Sequence, residues 1–448
     1  MLKKSNGCKK CPAAMIAKAP GRGDRGARLL DRYVGIPLVF LAGLYRRKRP
    51  IPAHPHRIGL LNTAAIGDTV LMSGPLADLR TNYPRAEIVF LSGPSNYEAA
   101  SLLKGTDIVI KVPVFNPLAA IRAVREQKID LFLDFGPWCR VNAIIAIFSG
   151  ADFIAGFRTS AQGRHFGYDL VVDHSEDAHE FENQRGLIRA LGIIPQHAPS
   201  LPCEHPESEN VRDFFGRFAV FHLWPGGSAA GLKQWPVGRW VALAEDLAAD
   251  QYDVVFTGAS HQRPLNDAVI AEVKASLRPR IKNSAGLSLG ETLRLLSRAE
   301  LVVSVDTGVM HMAAATRVPL VALHGPSSPH RWGPVSQTAI VVEPRMPGCG
   351  FLNLGFEKLR NAPACMNAIS YGTVKTACAA ALGRKISECS MPAPTHAWSS
   401  RGFPPIAPAG VWHHHCAGQR PQPQNSTQSV DTDSSRVSAR RANVSRPL

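Results

Sequence analysis

Two turns that follow apolar runs carry carboxylates in positions where they could do chemistry. Leu301–Val305 is rich in β-branched residues and predicts a buried strand, and Asp306-Thr307-Gly308 follows it. The small and apolar residues of Val309–Thr316 then predict a helix. A strand, a polar turn and a helix in this order aim backbone N–H groups and a helix dipole at an anion. An ordinary turn with Thr307 as N-cap explains the same residues, and both interpretations remain open.

The second such turn carries Asp68. It reads Asn62-Thr-Ala-Ala-Ile-Gly67-Asp68-Thr69 and follows the apolar run Ile58–Leu61. Small residues let a backbone approach a ligand closely, and a helix dipole stabilises a carboxylate at the helix N-terminus. Asp68 can therefore act as a general base towards a hydroxyl, or it can simply cap the helix.

Two further loops combine glycine with polar side chains. Gly226-Gly227-Ser228 follows the run Ala219–Leu223 and leads to Lys233, and a glycine-rich backbone with a hydroxyl and a lysine can hold a diphosphate. A lysine in a solvated loop is the alternative. Gly325–Pro334 is dense in glycine, proline and aromatic residues, which is typical of a shaped loop or of a well-packed turn.

The elements that must position these turns alternate along the chain. Apolar strands alternate with helices from Arg57 onwards, which predicts an α/β fold with parallel sheets covered on both faces. We predict a basic N-terminal segment (1–56), a first Rossmann-like doubly wound domain (57–175), a linker (176–210), a second such domain (211–384) and a disordered tail (385–448). Ligands of such folds bind at the carboxyl ends of the strands, so the facing edges predict a central cleft.

Charge is concentrated at the ends of the 448-residue chain. The net charge is +16, of which residues 1–50 hold +11 and residues 386–448 hold +3, so the body, with +2, is close to neutral. This distribution argues against a globular protein that binds nucleic acid and for an N-terminus that meets an anionic surface. Within Leu29–Arg49 an apolar stretch precedes four cations and is too short to span a membrane. A membrane-contacting helix and a packing helix with a solvated basic end both fit.

Nine scattered cysteines and the absence of a secretory signal predict a reduced, cytoplasmic setting. Cys8 and Cys11 have the spacing of half a zinc site, but no second pair with ligand spacing follows them. We therefore predict no metal site.

Taken together, the four motifs resemble glycosyltransferase family 9, the ADP-heptose:lipopolysaccharide heptosyltransferases. They occur in the order Gly67-Asp68, Gly226-Gly227-Ser228 with Lys233-Gln-Trp235-Pro236, Asp306-Thr307-Gly308-Val-Met-His311 and Gly325-Pro326. The resemblance runs from about Arg57 to about Leu382. It implies a GT-B architecture, with an N-terminal acceptor-binding domain and a C-terminal nucleotide-sugar-binding domain. It also implies inverting transfer of heptose from ADP-heptose to a lipid A-linked sugar, without a metal or other cofactor, at the inner face of the inner membrane.

The resemblance assigns roles to individual residues. Asp68 matches the proposed general base, and Asp306 matches a carboxylate that contacts the donor sugar. Gly227, Ser228 and Lys233 match the region around the donor diphosphate. Thr307 and Gly308 match residues beside the phosphates, and His311 matches a motif histidine that supports the turn.

One feature departs from the family pattern. Relatives often place an acidic residue after the strand that ends here at Thr257, but this chain has Ala259-Ser260-His261-Gln262-Arg263. Two alternatives to heptose transfer to lipopolysaccharide therefore stay open. One is a family-9 transferase with another nucleotide sugar or acceptor, and the other is a non-catalytic sugar-nucleotide-binding protein.

Overall fold

The computed structural model describes residues 32–46, 48–63, 65–203, 216–227, 229–353, 357, 359 and 361–388. All of them belong to one compact unit, Met1–Pro392. The predicted tail, most of the basic segment and part of the predicted linker lie outside the described residues. The predicted domain boundaries therefore stay a prediction.

The N-terminal half is built on a six-stranded parallel sheet in the order β3-β2-β1-β4-β5-β6. The central strands are buried on both faces, which explains their nearly continuous apolar sequences. The chain order reverses between β1 and β4, so their carboxyl ends flank the crevice where a ligand binds in such sheets. The strands are β1 (Arg57–Asn62), β2 (Glu87–Ser92), β3 (Ile108–Lys111), β4 (Leu131–Asp134), β5 (Phe153–Arg158) and β6 (Leu170–Asp173).

Among the described residues, seven helices belong to this half. The fifth shows how the sequence sets a start, because Asn116 accepts a hydrogen bond from the Ala119 N–H and Pro117 occupies the first turn. The helices are α1 (Gly35–Tyr45), α2 (Ile66–Leu71), α3 (Ser73–Asn82), α4 (Tyr97–Ala100), α5 (Pro117–Arg125), α6 (Arg140–Ile147) and α7 (Glu180–Ala190).

A second six-stranded parallel sheet forms the C-terminal half, in the order β12-β11-β10-β7-β8-β9. Here the order reverses between β7 and β10, which end next to the predicted Gly227 and Asp306 turns. The strands are β7 (Phe218–His222), β8 (Asp253–Thr257), β9 (Ile281–Asn283), β10 (Leu301–Val305), β11 (Leu320–Leu323) and β12 (Ala339–Val342).

In the part of this half that the structure describes, seven more helices accompany the sheet. Helix α10 begins with a capping box, in which Ser288 and Glu291 each accept a hydrogen bond from the other's backbone N–H. The helices are α8 (Val237–Ala249), α9 (Arg263–Glu272), α10 (Leu289–Arg298), α11 (Gly308–Ala315), α12 (Pro329–Trp332), α13 (Cys365–Ala368) and α14 (Tyr371–Glu388).

One hydrophobic cluster runs through both halves. It contains Ile58 and Leu76 from the first half together with Leu293, Met310 and Val220 from the second. The helices α2 and α11 make the closest contact between the halves. The two sheets therefore share part of their core, and the turns predicted to do chemistry lie at that shared boundary.

The structure differs from the sequence-based prediction mainly at the sheet edges. The central strands are where the pattern predicts them, but the edge strands β6, β9 and β12 are not among the predicted strands. They are only three or four residues long and partly exposed, so they lack a long apolar run. The predicted linker contains α7, whose Leu187 and Ile188 are buried in the shared cluster.

Candidate active site

The turn after β1 places Asp68 in the first turn of α2. Ala65 is the N-cap residue, so Asp68 is the third residue of the helix and does not occupy the capping position. Its carboxylate lies where the positive end of the helix dipole stabilises negative charge. The Asp68 carbonyl accepts a hydrogen bond from Gln184 Nε2 at 3.1 Å, which links the turn to α7. Asp68 is partly exposed.

This turn touches the turn after β10 in the other half. A Cβ atom added to Gly67 would lie 2.7 Å from Cδ2 of His311. One added to Gly308 would lie 2.7 Å from Cβ of Ile66. Neither distance is sterically possible without movement, so both positions require glycine. The structure thus brings the Asp68 turn and the Asp306 turn together, as the cleft prediction requires.

Thr307 caps the helix that follows it. Its side chain accepts a hydrogen bond from the Met310 N–H at 3.4 Å, and α11 starts at Gly308. The capping interpretation is therefore confirmed. The first four N–H groups of a helix have no partner within the helix, and the Thr307 side chain engages only the one of Met310. The other N–H groups of this turn can therefore bind an anion.

Asp306 forms an ion pair with Lys233. Lys233 Nζ lies 3.3 Å from Asp306 Oδ2 and donates a hydrogen bond to the Asp306 carbonyl at 3.1 Å. Both side chains are largely buried. Burial alone would raise the pKa of Asp306, but the charge of Lys233, the Ser327 hydroxyl and the neighbouring histidines together outweigh it and hold the pKa well below its usual range. Asp306 is therefore an anion at neutral pH, and Lys233 does not lie in solvent as the alternative required.

Histidines surround this pair in their neutral form. Burial lowers the pKa of His311 to about 3, and it lowers the pKa of His324 as well. Nδ1 of His311 is buried and has no hydrogen-bond partner among the described residues. The His311 ring packs on Gly67, and its assigned role in the donor site stays a prediction.

The glycine turn after β7 carries Gly227 and leads to Lys233. Gly227 has a φ of +87°, which other residues rarely adopt, and no atom lies within 4 Å of a Cβ added there. The turn therefore exposes its backbone. Ser228 lies outside the described residues, so its predicted role stays a prediction. Beyond Lys233, the buried Trp235 donates a hydrogen bond to the Ile369 carbonyl at 2.9 Å, and Pro236 is the N-cap residue of α8.

The loop after β11 connects the halves, which sequence reasoning did not predict. Arg331 donates to the Ala178 carbonyl at 2.9 Å and to Glu180 Oε2 at 2.5 Å. His179 Nε2 lies 3.0 Å from the Gly333 carbonyl oxygen. Burial would raise the pKa of Glu180, but hydrogen bonds from His174 and Arg331 lower it. No local pattern indicates this contact, because its members are 151 residues apart.

A buried polar cluster at the end of β4 was also missed. Asp134 accepts hydrogen bonds from Arg164, from the Tyr168 hydroxyl at 2.6 Å and from the Gly136 N–H at 3.0 Å. All three side chains are buried. Thr63 at the end of β1 donates to Asn142 at 3.1 Å, so polar groups line the crevice of the first sheet as well. Asp134 follows the apolar residues 131–133 at the end of β4, and this position is the one local signal that the sequence offers.

The structure bears on the cysteines and on the predicted absence of a metal site. Cys349 and Cys365 form a disulfide, with their Cα atoms 5.8 Å apart, which differs from the predicted reduced state of the cysteines. Cys8 and Cys11 lie outside the described residues. Among the described residues no group of three or more His, Cys, Asp or Glu side chains could hold a metal ion. The predicted absence of a metal requirement stays a prediction.

Comparison with known proteins gives concordant matches. Residues 118–348 match the model of glycosyltransferase family 9 (heptosyltransferase). The chain is 24% identical over 327 residues to lipopolysaccharide heptosyltransferase 2 of Escherichia coli K12, covering 69% of this chain and 91% of that protein. It is 32% identical over 319 residues to lipooligosaccharide heptosyltransferase 2 of Haemophilus ducreyi, covering 64% and 88%.

A solved structure supports the same fold. The structure of E. coli ADP-heptose LPS heptosyltransferase II superimposes with a TM-score of 0.60 at 22% identity, covering 74% of this chain and 99% of that chain. Together with the two doubly wound sheets, this likeness confirms the predicted GT-B fold class.

Proposed function

Because the chain belongs to glycosyltransferase family 9 and is thus a glycosyltransferase, we propose that it moves a heptose from ADP-heptose to the inner core of lipopolysaccharide. Its acceptor is then a lipid A-linked sugar. The observation that carries this proposal is the contact between the Asp68 turn and the Asp306 turn, with Lys233 beside it. The names of the relatives support the choice of heptose and of lipopolysaccharide.

The donor would lie on the C-terminal half. Lys233, the exposed backbone at Gly227 and the N-terminus of α11 can stabilise the negative charge that grows on the diphosphate as it leaves. The assigned residues beside the phosphates are Ser228, Thr307 and Gly308. Asp306 would accept hydrogen bonds from hydroxyls of the sugar, since its low pKa keeps it ionised.

Asp68 would act from the N-terminal half as the general base. It takes the proton of the acceptor hydroxyl while that oxygen forms a bond to the anomeric carbon. The bond from the same carbon to the diphosphate breaks, and ADP leaves with the electron pair. A single displacement of this kind inverts the anomeric centre. His311, which packs on Gly67, belongs with the residues assigned to the donor site, and no metal or other cofactor is assigned a step.

A nucleotide-sugar donor and a lipid-linked acceptor meet at the cytoplasmic face of the inner membrane, and we place the enzyme there. Among the residues that the structure describes, no helix is long and apolar enough to cross a membrane. An enzyme that binds the surface of the bilayer would meet both substrates, and no nucleic acid has a part in this function.

Incubating the enzyme with ADP-heptose and a heptose-free core acceptor tests the proposal. We expect release of ADP and an acceptor that gains the mass of one heptose. The same core from cells that lack this protein should be shorter by one heptose in a mass spectrum. An unchanged core together with no transfer in vitro would contradict the proposal.

One observation keeps a second donor under consideration. The loop after β8 runs from Gly258 to Arg263 without a carboxylate, and Gln262 instead accepts a hydrogen bond from the Ala259 N–H at 2.8 Å. A panel of ADP-, UDP- and GDP-sugars, assayed for nucleotide release, separates the candidates. Faster release from a UDP- or GDP-sugar than from ADP-heptose would favour the second donor, and binding of the donor with no transfer would favour a non-catalytic protein.

A further inference from the structure

Helix α1 is apolar around its whole circumference. Its sequence is Gly-Ile-Pro-Leu-Val-Phe-Leu-Ala-Gly-Leu-Tyr. One face packs on the N-terminal half: Val39 is fully buried, and a Cβ added to Gly43 would lie 2.6 Å from the Phe166 carbonyl oxygen. A helix that is hydrophobic on all sides is normally buried on all sides. The opposite face of α1 is not.

The exposed face is continuous. We call it the apolar face; it consists of Tyr33, Val34, Leu38, Phe40, Leu41, Leu44 and Phe166. Leu41 is 53% exposed and Leu44 is 66% exposed. The residues from α1 recur at helical spacing, so they share one side. Phe166 comes from another part of the chain, and its ring packs edge-on against Phe40 with centroids 5.2 Å apart. Exposed apolar patches of this kind mark sites of interaction rather than the random surface of a monomer.

The helix is fixed to the body at its C-terminal end. Arg46 donates a hydrogen bond to Asp169 at 2.7 Å and to the Ala151 carbonyl at 3.2 Å. Arg49 pairs with Asp152. Two of the four cations that follow the helix therefore hold it in place. The apolar face has a fixed direction relative to the N-terminal half.

The sequence next to the helix is strongly cationic. Residues 1–31 contain eight Lys or Arg against Asp24 and Asp31. Arg32 and Lys48 are exposed at the two ends of the helix. An apolar face flanked by cations complements an anionic lipid bilayer, in which apolar side chains enter the interface and cations meet the headgroups. A second protein chain would not require this charge.

The length of α1 fixes how it would bind. Eleven residues of α-helix span about 16 Å, roughly half of the bilayer core. The helix can therefore lie in the plane of the interface but cannot cross the membrane. It packs on α6 and on the 3-10 turn Arg164–Gly167, next to the crevice at the end of β4.

We propose that the apolar face of α1, together with Phe166, is a docking surface for an anionic bilayer. Docking holds the N-terminal half, and with it the Asp68 turn, at the membrane surface where a lipid-linked acceptor lies. The inference rests on the proposed function only in taking the acceptor to be a lipid. The docking itself follows from the exposed apolar side chains and the flanking charge.

Flotation of the full chain with vesicles of phosphatidylethanolamine and phosphatidylglycerol tests this proposal. We expect the wild type to float with these vesicles. In the double variant Leu41→Asp/Leu44→Asp we expect the partition coefficient to fall at least about tenfold, because two large apolar side chains no longer enter the interface. Replacing phosphatidylglycerol by phosphatidylcholine should lower binding of the wild type by about tenfold or more.

Two further variants make the result specific. Ile194→Asp is the matched control, because Ile194 is 78% exposed and lies outside the apolar face; it should bind as the wild type does. Phe166→Asp should weaken binding although it leaves the sequence of α1 intact. An unchanged thermal transition in each variant shows that the fold is kept.

Transfer to a water-soluble, deacylated acceptor separates this proposal from the proposed function. We expect the double variant to keep that activity and to lose activity on acceptor embedded in vesicles. Three results would overturn the proposal: no vesicle binding by the wild type, equal binding by the double variant, or an apolar face that is buried in a dimer of this chain. Vesicle binding without transfer to either acceptor would instead contradict the proposed function.

Discussion

Lys233 and Asp306 form an ion pair at the place proposed for the donor. The diphosphate of a bound donor would interact with Lys233, and its sugar would interact with Asp306. In the structure each compensates the charge of the other. A bound donor would supply new partners for both, because its phosphates attract the ammonium group and its hydroxyls donate to the carboxylate. The pair therefore keeps two charges in position without leaving either one uncompensated in a largely buried site.

We predict that Lys233→Ala weakens binding of ADP by about 10- to 100-fold, because a charge-assisted contact to the diphosphate is lost. Isothermal calorimetry measures this affinity. Lys274→Ala is a suitable control, since Lys274 pairs with Glu245 on an exposed surface. An unchanged affinity in the Lys233 variant would remove Lys233 from the donor site.

We predict that Asp68→Asn lowers kcat by about a hundred- to ten-thousand-fold, because the amide cannot take the proton of the acceptor. Affinity for ADP should stay close to that of the wild type, since Asp68 belongs to the other half. Single-turnover transfer and calorimetry measure the two quantities. Near-normal turnover would show that another group is the base.

A third prediction concerns stability and pH. Burial lowers the pKa of His222 to about 4, so the unfolded chain binds more protons than the folded one between that value and the ordinary histidine pKa. Stability is therefore lost as the pH falls from 8 to 5, by about 2 kcal/mol for this histidine. In His222→Gln the loss over the same range should be smaller by about that amount. Urea denaturation at both pH values measures it, and parallel curves for the two proteins would refute the assignment.

The sequence indicated these residues unequally. Asp68 and Asp306 were found because each follows a strongly apolar strand, and such strands leave a clear local pattern. The Lys233 contact could be expected only once both loops were assigned to one cleft. Arg331 could not be found at all, since neither a charged residue in the single-turn helix α12 nor its distant partner Glu180 has a periodic signature.

At the scale of elements, the contact between α2 and α11 decides how the turns meet. Each helix has a glycine in its first turn, and α11 is buried along nearly its whole length. The absence of side chains at Gly67 and Gly308 lets the two helix N-termini approach each other. Their positive dipole ends then converge on the cleft, which favours anionic groups there.

We predict that Gly308→Ala destabilises the protein by about 1–3 kcal/mol, because the new methyl group overlaps Ile66 and forces the helices apart. Transfer activity should fall with it. Gly238→Ala is the matched control: Gly238 is exposed on α8, no atom lies within 4 Å of its added Cβ, and stability should be unchanged or slightly raised. Thermal unfolding compares the two, and equal transition temperatures would contradict the overlap.

The elements themselves were predictable where burial is uniform. Central strands such as β1 and β10 are apolar throughout because both their faces are covered. The edge strands β9 and β12 are exposed on part of their surface, so their composition resembles that of loops. Part of α7 was also predictable, because its buried residues Gln184, Leu187 and Ile188 recur at helical spacing and indicate a helix over 184–191 within the stretch assigned to the linker.

At the scale of the whole molecule, Arg331 and Glu180 connect the two halves outside the shared core. Both side chains are buried, and Glu180 also contacts His174. The connection limits rotation of one half against the other close to the cleft. Domain closure in a two-domain transferase excludes water from the donor, so such a contact bears on catalysis as well as on stability.

We predict that Arg331→Ala lowers the free energy of unfolding by about 3 kcal/mol, because it leaves the buried Glu180 without its cation. Arg158→Ala is the control, since the Arg158–Asp173 pair is exposed and its loss should cost less than about 1 kcal/mol. Urea denaturation of both variants measures the difference. Equal losses would show that the buried pair does not hold the halves together.

The arrangement of the two halves could be anticipated only in part. The alternation of strands and helices predicts two doubly wound sheets, and the order of the motifs predicts that their carboxyl edges face each other. The extent of the shared core was not predictable, because an apolar residue that faces the other half looks the same in the sequence as one that faces its own sheet.

That shared core bears on how variants of this enzyme with altered donor preference can be built. Exchanging the C-terminal half for that of a relative would transplant the part of the core that contains Leu293 and Met310. The grafted surface would then have to match side chains such as Ile58 and Leu76, which evolved beside different neighbours. A functional chimera therefore depends on how well the two parental halves pack in the shared core, at least as much as on the residues that select the nucleotide.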